Sequence, residues 1–170
     1  MDVNIIDDFL SQEDFEEVRD LIVFNWDFDW YFQKEVNYAG TDCTKDFWNW
    51  YGTHMFYNKD SPADDCHILY DKFIPRFKEM GIFRSLMRIK GNFYPHTETL
   101  REHAPHIDYE FSHTGALYSL NTCDGFTKLY DGTKIDSVAN RILIFDASTI
   151  HNSSTTTNSA GRFNINFNFL

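Results

Sequence analysis

The sequence predicts an α+β fold with an antiparallel β core, and three observations predict it. Both clear helix-start signals lie before residue 82. From Phe83 onward, short apolar runs are broken by turn pairs. The length of 170 residues suits one domain with a real core and leaves little room for a second. The single domain, 1–170, divides into a helical and aromatic-rich support region, 1–82, and a β core, 83–170.

The first helix opens at Ser11, where Ser11-Gln12-Glu13-Asp14 reads as a capping box. Phe15, Val18, Leu21 and Ile22 follow at helical spacing. A second start is expected at Ser61, with Pro62 in the first helical position and Asp64 and Asp65 at the positive end of the dipole. Ile68, Leu69, Phe73 and Phe77 form its apolar stripe, and Pro75 is expected to kink or end it. Between the helices runs an aromatic stretch, Asn25 to Tyr57, with Trp26, Trp30, Trp48 and Trp50. It reads as strands covering a sheet, with an aromatic wall for a flat substrate or a stacking platform as the alternative. Strands are expected over Phe83–Ile89, Gly115–Asn121, Arg141–Phe145 and Arg162–Leu170. Asp124-Gly125 and Asp131-Gly132 are the expected hairpin turns. Many short strands with such punctuation suggest a sandwich or barrel, with the helices backing one sheet.

Composition narrows the setting. The formal net charge of −11 argues against general phosphate-backbone binding, which relies on basic patches. An aromatic content of 18% argues against disorder. Cys43, Cys66 and Cys123 are widely spaced, so they read as reduced, buried thiols rather than a disulfide framework. No signal peptide or membrane helix is visible, and a cytoplasmic protein is expected.

The chemistry concentrates late in the chain. Four of the seven histidines lie between His96 and His113, near Asp108. On an extended strand His106 and Asp108 would face the same side and Ile107 the opposite layer. His151 follows the apolar run Arg141–Phe145 and could return to the same site. Two histidines and a carboxylate make the facial triad of non-haem Fe(II) sites, open on its other face. In the last strand Phe163, Ile165, Phe167 and Phe169 alternate with Arg162, Asn164, Asn166 and Asn168. If that polar face turns inward, Arg162 becomes a fixed cation suited to a carboxylate. Asn164 shares its parity and is a candidate for the pocket wall. His103 and His113 compete for the metal or support its ligands. Arg88 and Lys90 share parity with Asn92, although solvated strand charges are the default.

The ordered set His106-x-Asp108, His151, Arg162 resembles the iron- and 2-oxoglutarate-dependent dioxygenases of the prolyl-4-hydroxylase-like group, most closely the small bacterial and phage types. Flanking matches are Ile6–Ser11, Tyr118–Asn121, Asp124-Gly125 through Asp131-Gly132, and Ala139–Asp146. They cover residues 83–170 well and the first half loosely. The resemblance implies a double-stranded β-helix, or jelly roll. It implies Fe(II) on His106, Asp108 and His151, and Arg162 on the distal carboxylate of 2-oxoglutarate. O₂ would be the second co-substrate, with hydroxylation of a C–H and release of succinate and CO₂. Asn92-x-Tyr94 resembles a co-substrate-contacting pair, and Tyr118 is a further candidate despite its opposite strand parity. A frequent Gly-Gly is replaced here by Gly125-Phe126. The substrate implied is a peptidyl side chain such as proline, or a small metabolite, with nucleic acid disfavoured by charge. A zinc or cupin-like enzyme using the same ligands remains the alternative, as does a non-catalytic jelly-roll binding module.

Overall fold

The computed structural model describes residues 3–37, 45–46, 48–63 and 66–170; Cys43, Asp64 and Asp65, named above, lie outside them. The elements are β1 (Asn4–Ile6), α1 (Gln12–Arg19) running into a π-helical turn (Asp20–Phe24), β2 (Tyr31–Gln33), β3 (Tyr51–Asn58), β4 (Ser61–Pro62), α2 (Cys66–Glu79) and β5 (Leu86–Pro95). There follow β6 (Thr114–Ser119), β7 (Cys123–Leu129), β8 (Lys134–Ser137), β9 (Ile142–Asp146), β10 (His151–Ser153) and β11 (Gly161–Phe169).

Two antiparallel sheets face each other. The larger has the order β1-β9-β6-β11-β5-β3-β2, with β4 beside β3, and the smaller has the order β10-β7-β8. The irregular segment before β6 runs along β10, through bridges between Glu102 and Ser154 and between His106 and His151. It completes the small layer, so β5-β11-β6-β9 lies opposite that segment with β10-β7-β8. This strand order is the jelly roll, an α+β architecture with its helices on one sheet.

The alternation of β11 explains how the layers cohere. Phe167 packs on Phe73 at 4.6 Å between ring centroids, and Phe169 on Phe77 at 4.8 Å. These rings join Phe9, Phe15, Val18, Ile22 and Leu69 in the main core, between the helices and the large sheet. A smaller cluster of Leu129, Ile135, Leu143, Phe145 and Ala147 fills one end between the sheets. The opposite face of β11 places Arg162, Asn164, Asn166 and Asn168 inside the sandwich, all buried. An inward polar face is costly unless its groups find partners, and here they build the site.

Several expectations change. Ser11 caps α1 by accepting from the Asp14 backbone N–H at 3.2 Å, but Ser61 and Pro62 do not start a helix. Lys59 and Asp60 both have positive φ, 48° and 64°, and turn the chain back so that Ser61 pairs with Asn58 and Pro62 with Tyr57. That two-residue hairpin captures the segment as an edge strand, where proline is tolerated. Pro75 lies within α2, which continues to Glu79. It is exposed, as is Asp71, whose carbonyl it leaves without a helical donor. Asp131-Gly132 makes the expected turn between β7 and β8, with Gly132 at φ 88°. Asp124-Gly125 instead belongs to β7. The strand before β6 begins at Leu86 and runs on to Pro95, later than expected.

The aromatic stretch packs on both faces of the large sheet. Trp30 packs on Phe93 and Phe163 over the helix side of the large sheet, whereas Tyr51 stacks on Tyr94 at 5.8 Å inside it. Trp26 is fully exposed and belongs to neither. Cys66 and Cys123 are buried free thiols. Among the described residues, no helix is long and apolar enough to cross a membrane.

Candidate metal centre and its cleft

His106 lies in the irregular segment before β6 and His151 opens β10, the two being joined by an isolated bridge. Each backbone N–H donates to the other's carbonyl at 2.9 Å, which sets their rings 4.6 Å apart. The backbone N–H of Asp108 donates to the Ala147 carbonyl at 3.0 Å, tying the carboxylate's segment to the chain after β9. One ligand atom from each of His106, Asp108 and His151 lies within 4.8 Å of the others. The segment is looped rather than strand-like at Asp108, and Ile107 is 38% exposed instead of entering the opposite layer. The i, i+2 convergence survives because both residues are pinned by backbone bonds to β10 and its approach.

Outer partners orient two of the donors, His151 and Asp108. Nδ1 of His151 lies 2.9 Å from the Thr149 carbonyl, so that nitrogen carries the proton and Nε2 keeps its lone pair for a cation. Oδ2 of Asp108 accepts from Nδ2 of Asn166 at 3.0 Å and of Asn168 at 2.8 Å, while Oδ1 lies 2.9 Å from Nη2 of Arg88. Burial opposes the carboxylate's charge, but Arg88, His151 and the two amides hold the carboxyl below its usual range. Burial, then the neighbouring His151, brings His106 down to about 4, a neutral imidazole. The set is two imidazoles, that of His106 neutral, and an ionised carboxylate, the donor chemistry of a divalent transition metal.

The triad opens on a narrow cleft of ≈ 40 Å³, space for an ion and a few waters. Lys90, Asn92, Tyr94, Asn164 and Asn166 line it from the large sheet, and Thr127, Asn152 and Ser153 from the small one. Two larger open grooves, ≈ 620 and ≈ 510 Å³, are lined by residues of the helices and of the helix side of the large sheet, and hold none of the triad.

Arg162 lies beneath this cleft rather than on its wall, 1% exposed. Nη1 donates to the Phe126 carbonyl at 2.8 Å and Nη2 to the Thr127 hydroxyl at 2.7 Å, with the guanidinium 5.6 Å from the Tyr94 ring centre. Gly125 permits that position, since a Cβ there would stand 2.7 Å from Cδ of Arg162 and 2.8 Å from the Thr155 carbonyl. The Gly125-Phe126 pair therefore shapes the arginine's seat rather than a turn. Nε has no partner, and no carboxylate among the described residues pairs with the guanidinium. Burial disfavours its charge.

Asn92 and Asn164 face one another across β5 and β11, with Nδ2 of Asn92 donating to Oδ1 of Asn164 at 2.9 Å. Oδ1 of Asn92 and Nδ2 of Asn164 are left without partners. Tyr94 is buried at the cleft, its phenol held above the usual value by burial against the pull of Ser153 and Arg162. Orphaned polar atoms thus gather around one cavity, which is where a polar ligand would satisfy them.

Tyr118 is a correction. It is fully buried on the helix side, edge-on to Phe73 at 4.8 Å, and its hydroxyl donates to Oδ1 of Asn140 at 2.7 Å. Its opposite parity to Asn164 and Asn166 decided this. His103 and His113 stand outside the triad. Nδ1 of His103 bonds the Ser153 hydroxyl at 2.8 Å beneath Trp48, and His113 meets Asn168 at 3.2 Å. Arg88, Lys90, Asn166 and Asn168 all face inward, and parity with Asn92 and Arg162 was the available signal. Thr127 and Ser153, from the small sheet, carried no such signal.

No protein-family model matches the chain, and no curated protein does so. Solved structures share its fold. A prolyl hydroxylase from Trichoplax adhaerens, in complex with a hypoxia inducible factor peptide fragment, superposes with a TM-score of 0.62 at 17% identity, covering 98% of this chain and 83% of its own. A viral collagen prolyl hydroxylase from Paramecium bursaria Chlorella virus 1, in its 2OG complex, gives 0.61 at 12%, covering 99% and 96%. A 2OG-Fe(II) oxygenase family protein from Burkholderia pseudomallei gives 0.70 at 9%, covering 98% and 84%. The fold is therefore the one used by prolyl hydroxylases and other 2OG-Fe(II) oxygenases.

Proposed function

We propose that the chain is an Fe(II)- and 2-oxoglutarate-dependent dioxygenase that hydroxylates an unactivated C–H bond of a peptidyl side chain or a small molecule. The observation that carries the reading is Arg162, a buried guanidinium with no carboxylate partner among the described residues, next to a cleft walled by His106, Asp108 and His151. Leaving such a cation unpaired costs about several kcal/mol, and a bound dianion recovers that cost. A zinc hydrolase or a binding module gives no reason for it.

Iron bound by the triad would supply the O₂-dependent oxidation, in which 2-oxoglutarate becomes succinate and CO₂ and the second oxygen atom enters the substrate as hydroxyl. The chain's own part is to bind and orient. Nε2 of His151 is freed by the Thr149 carbonyl, and Asp108 is kept ionised by Arg88 and two amides. Arg162 would take the far carboxylate of 2-oxoglutarate, with Nδ2 of Asn164 and the Thr127 hydroxyl as neighbouring polar groups. The keto acid is larger than the present cleft, so its entry calls for the lining side chains to move apart. Free Cys66 and Cys123 support a reducing compartment such as the cytoplasm.

The test is succinate formation from 2-oxoglutarate by iron-loaded protein in air. The proposal expects turnover that requires iron and stops in Asp108→Ala. Intact, loaded protein that forms no succinate contradicts it.

A further inference from the structure

We propose that Lys90 anchors a carboxylate of the primary substrate, so that the molecule hydroxylated is an acid. The inference rests on the dioxygenase reading and extends it to the substrate class.

Strand alternation puts Arg88, Lys90, Asn92 and Tyr94 on one face of β5. Arg88 is engaged by Asp108, Asn92 by Asn164, and Tyr94 lies against Arg162 and His103. Lys90 differs from all three. It lines the same cleft as His106, Asp108 and Asn166, yet among the described residues its ammonium has no hydrogen-bond or ion-pair partner. It stands only over the Tyr51 ring, 5.8 Å from the centre. Asp108 acts on it only through space, with Arg88 at one carboxylate oxygen and Asn166 and Asn168 at the other.

Charge balance carries the argument further. A dication on the triad, with Arg88, Lys90 and Arg162, exceeds what Asp108 and a dianionic keto acid neutralise. The excess lies on the Lys90 side of the cleft, since Arg162 is the seat for the keto acid's tail. A partly buried ammonium persists at a structural cost unless an anion completes it. Its long stem lets it follow a ligand within the cleft. The groups beside it are neutral amides, an aromatic ring and the Arg88–Asp108 pair, whose charges offset one another, and these suit a monoanionic carboxylate. Lys90 offers one point charge, which matches the single charge of a carboxylate, and the guanidinium of Arg88 is already committed to Asp108.

Trifluoroacetate is a small carboxylate readable by ¹⁹F NMR, and trifluoroacetamide is its neutral counterpart. Both would be titrated into the full chain loaded with Zn(II) and saturating 2-oxoglutarate. The proposal expects the carboxylate to bind, the amide not to bind, Lys90→Arg to retain binding and Lys90→Met to weaken it roughly tenfold or more. The visible absorption of the anaerobic Fe(II)–2-oxoglutarate complex should be unchanged in Lys90→Met. Equal trifluoroacetate binding by Lys90→Met, or none by the parent protein, overturns the proposal. Loss of the absorption in Lys90→Met also overturns it, by assigning the lysine to the co-substrate. Absence of that absorption in the parent protein marks failure of the underlying dioxygenase reading instead.

Discussion

Nη2 of Arg88 stands 2.9 Å from Oδ1 of Asp108, the only carboxylate of the candidate metal triad. The pair is nearly closed to solvent, the side chains being 15% and 5% exposed. A guanidinium so placed stabilises the empty site and opposes a dication entering it. Oδ2 is held by Asn168, whose own Oδ1 accepts from Nε of Arg88 at 2.9 Å, and independently by Asn166, so orientation does not depend on Arg88 alone. Arg88→Met should therefore lower the stability of the metal-free protein by about 3 kcal/mol, by leaving a buried carboxylate unpaired. The same variant should bind Zn(II) several-fold more tightly. Urea unfolding and a chelator-competition titration check the two effects, and weaker zinc binding would show that orientation dominates.

Gly125 faces Cδ of Arg162 at 2.7 Å and the Thr155 carbonyl at 2.8 Å, measured from the position a Cβ would take. The carbonyl is backbone and cannot give way, so Gly125→Ala should push the arginine from its seat. We expect at least roughly tenfold weaker 2-oxoglutarate binding with metal binding unchanged. Calorimetric titration of each ligand separates the outcomes.

Tyr118 is assigned to the core by its contact with Phe73 and its bond to Asn140. Tyr118→Phe keeps the ring and removes one hydrogen bond, a loss of about 1 kcal/mol in unfolding free energy. 2-oxoglutarate affinity should stay at the parent value. A selective loss of that affinity would return Tyr118 to the site.

His103 supplies a pH dependence. Burial, then Arg162, lowers its value from 6.5 to about 3 in the folded chain. The unfolded chain therefore binds the extra proton between those pH values, and stability falls as pH drops from about 6.5 toward 3, by at most ~1.4 kcal/mol per unit for one group. His106, lowered to about 4, acts in the same sense. His103→Gln should flatten the slope between pH 6.5 and 5 in the metal-free protein, read from urea midpoints. An unchanged slope would remove His103 as its source.

Strands with strict alternation were legible in the sequence, because β11 states both of its faces: phenylalanines toward α2, arginine and asparagines inward. The triad was legible from the order of His106, Asp108 and His151 together with the apolar run before the last. What local pattern cannot carry was missed. Lys59 and Asp60, with left-handed backbone, turn Ser61 and Pro62 into an edge strand, although those residues read as a helix start. Gly125 looked like a turn residue because its reason, the passage of Arg162, is a contact between distant strands. Arg88 and Lys90 looked like solvated charges because the closing segment around Asp108, which buries them, has no strand pattern of its own.

The most direct measurement is the visible spectrum of the protein under anaerobic conditions after addition of Fe(II) and 2-oxoglutarate. A weak charge-transfer absorption is expected that requires both additions, is lost in His106→Ala and is weakened in Arg162→Ala. Intact, iron-loaded protein that shows no such absorption with 2-oxoglutarate would contradict the dioxygenase reading.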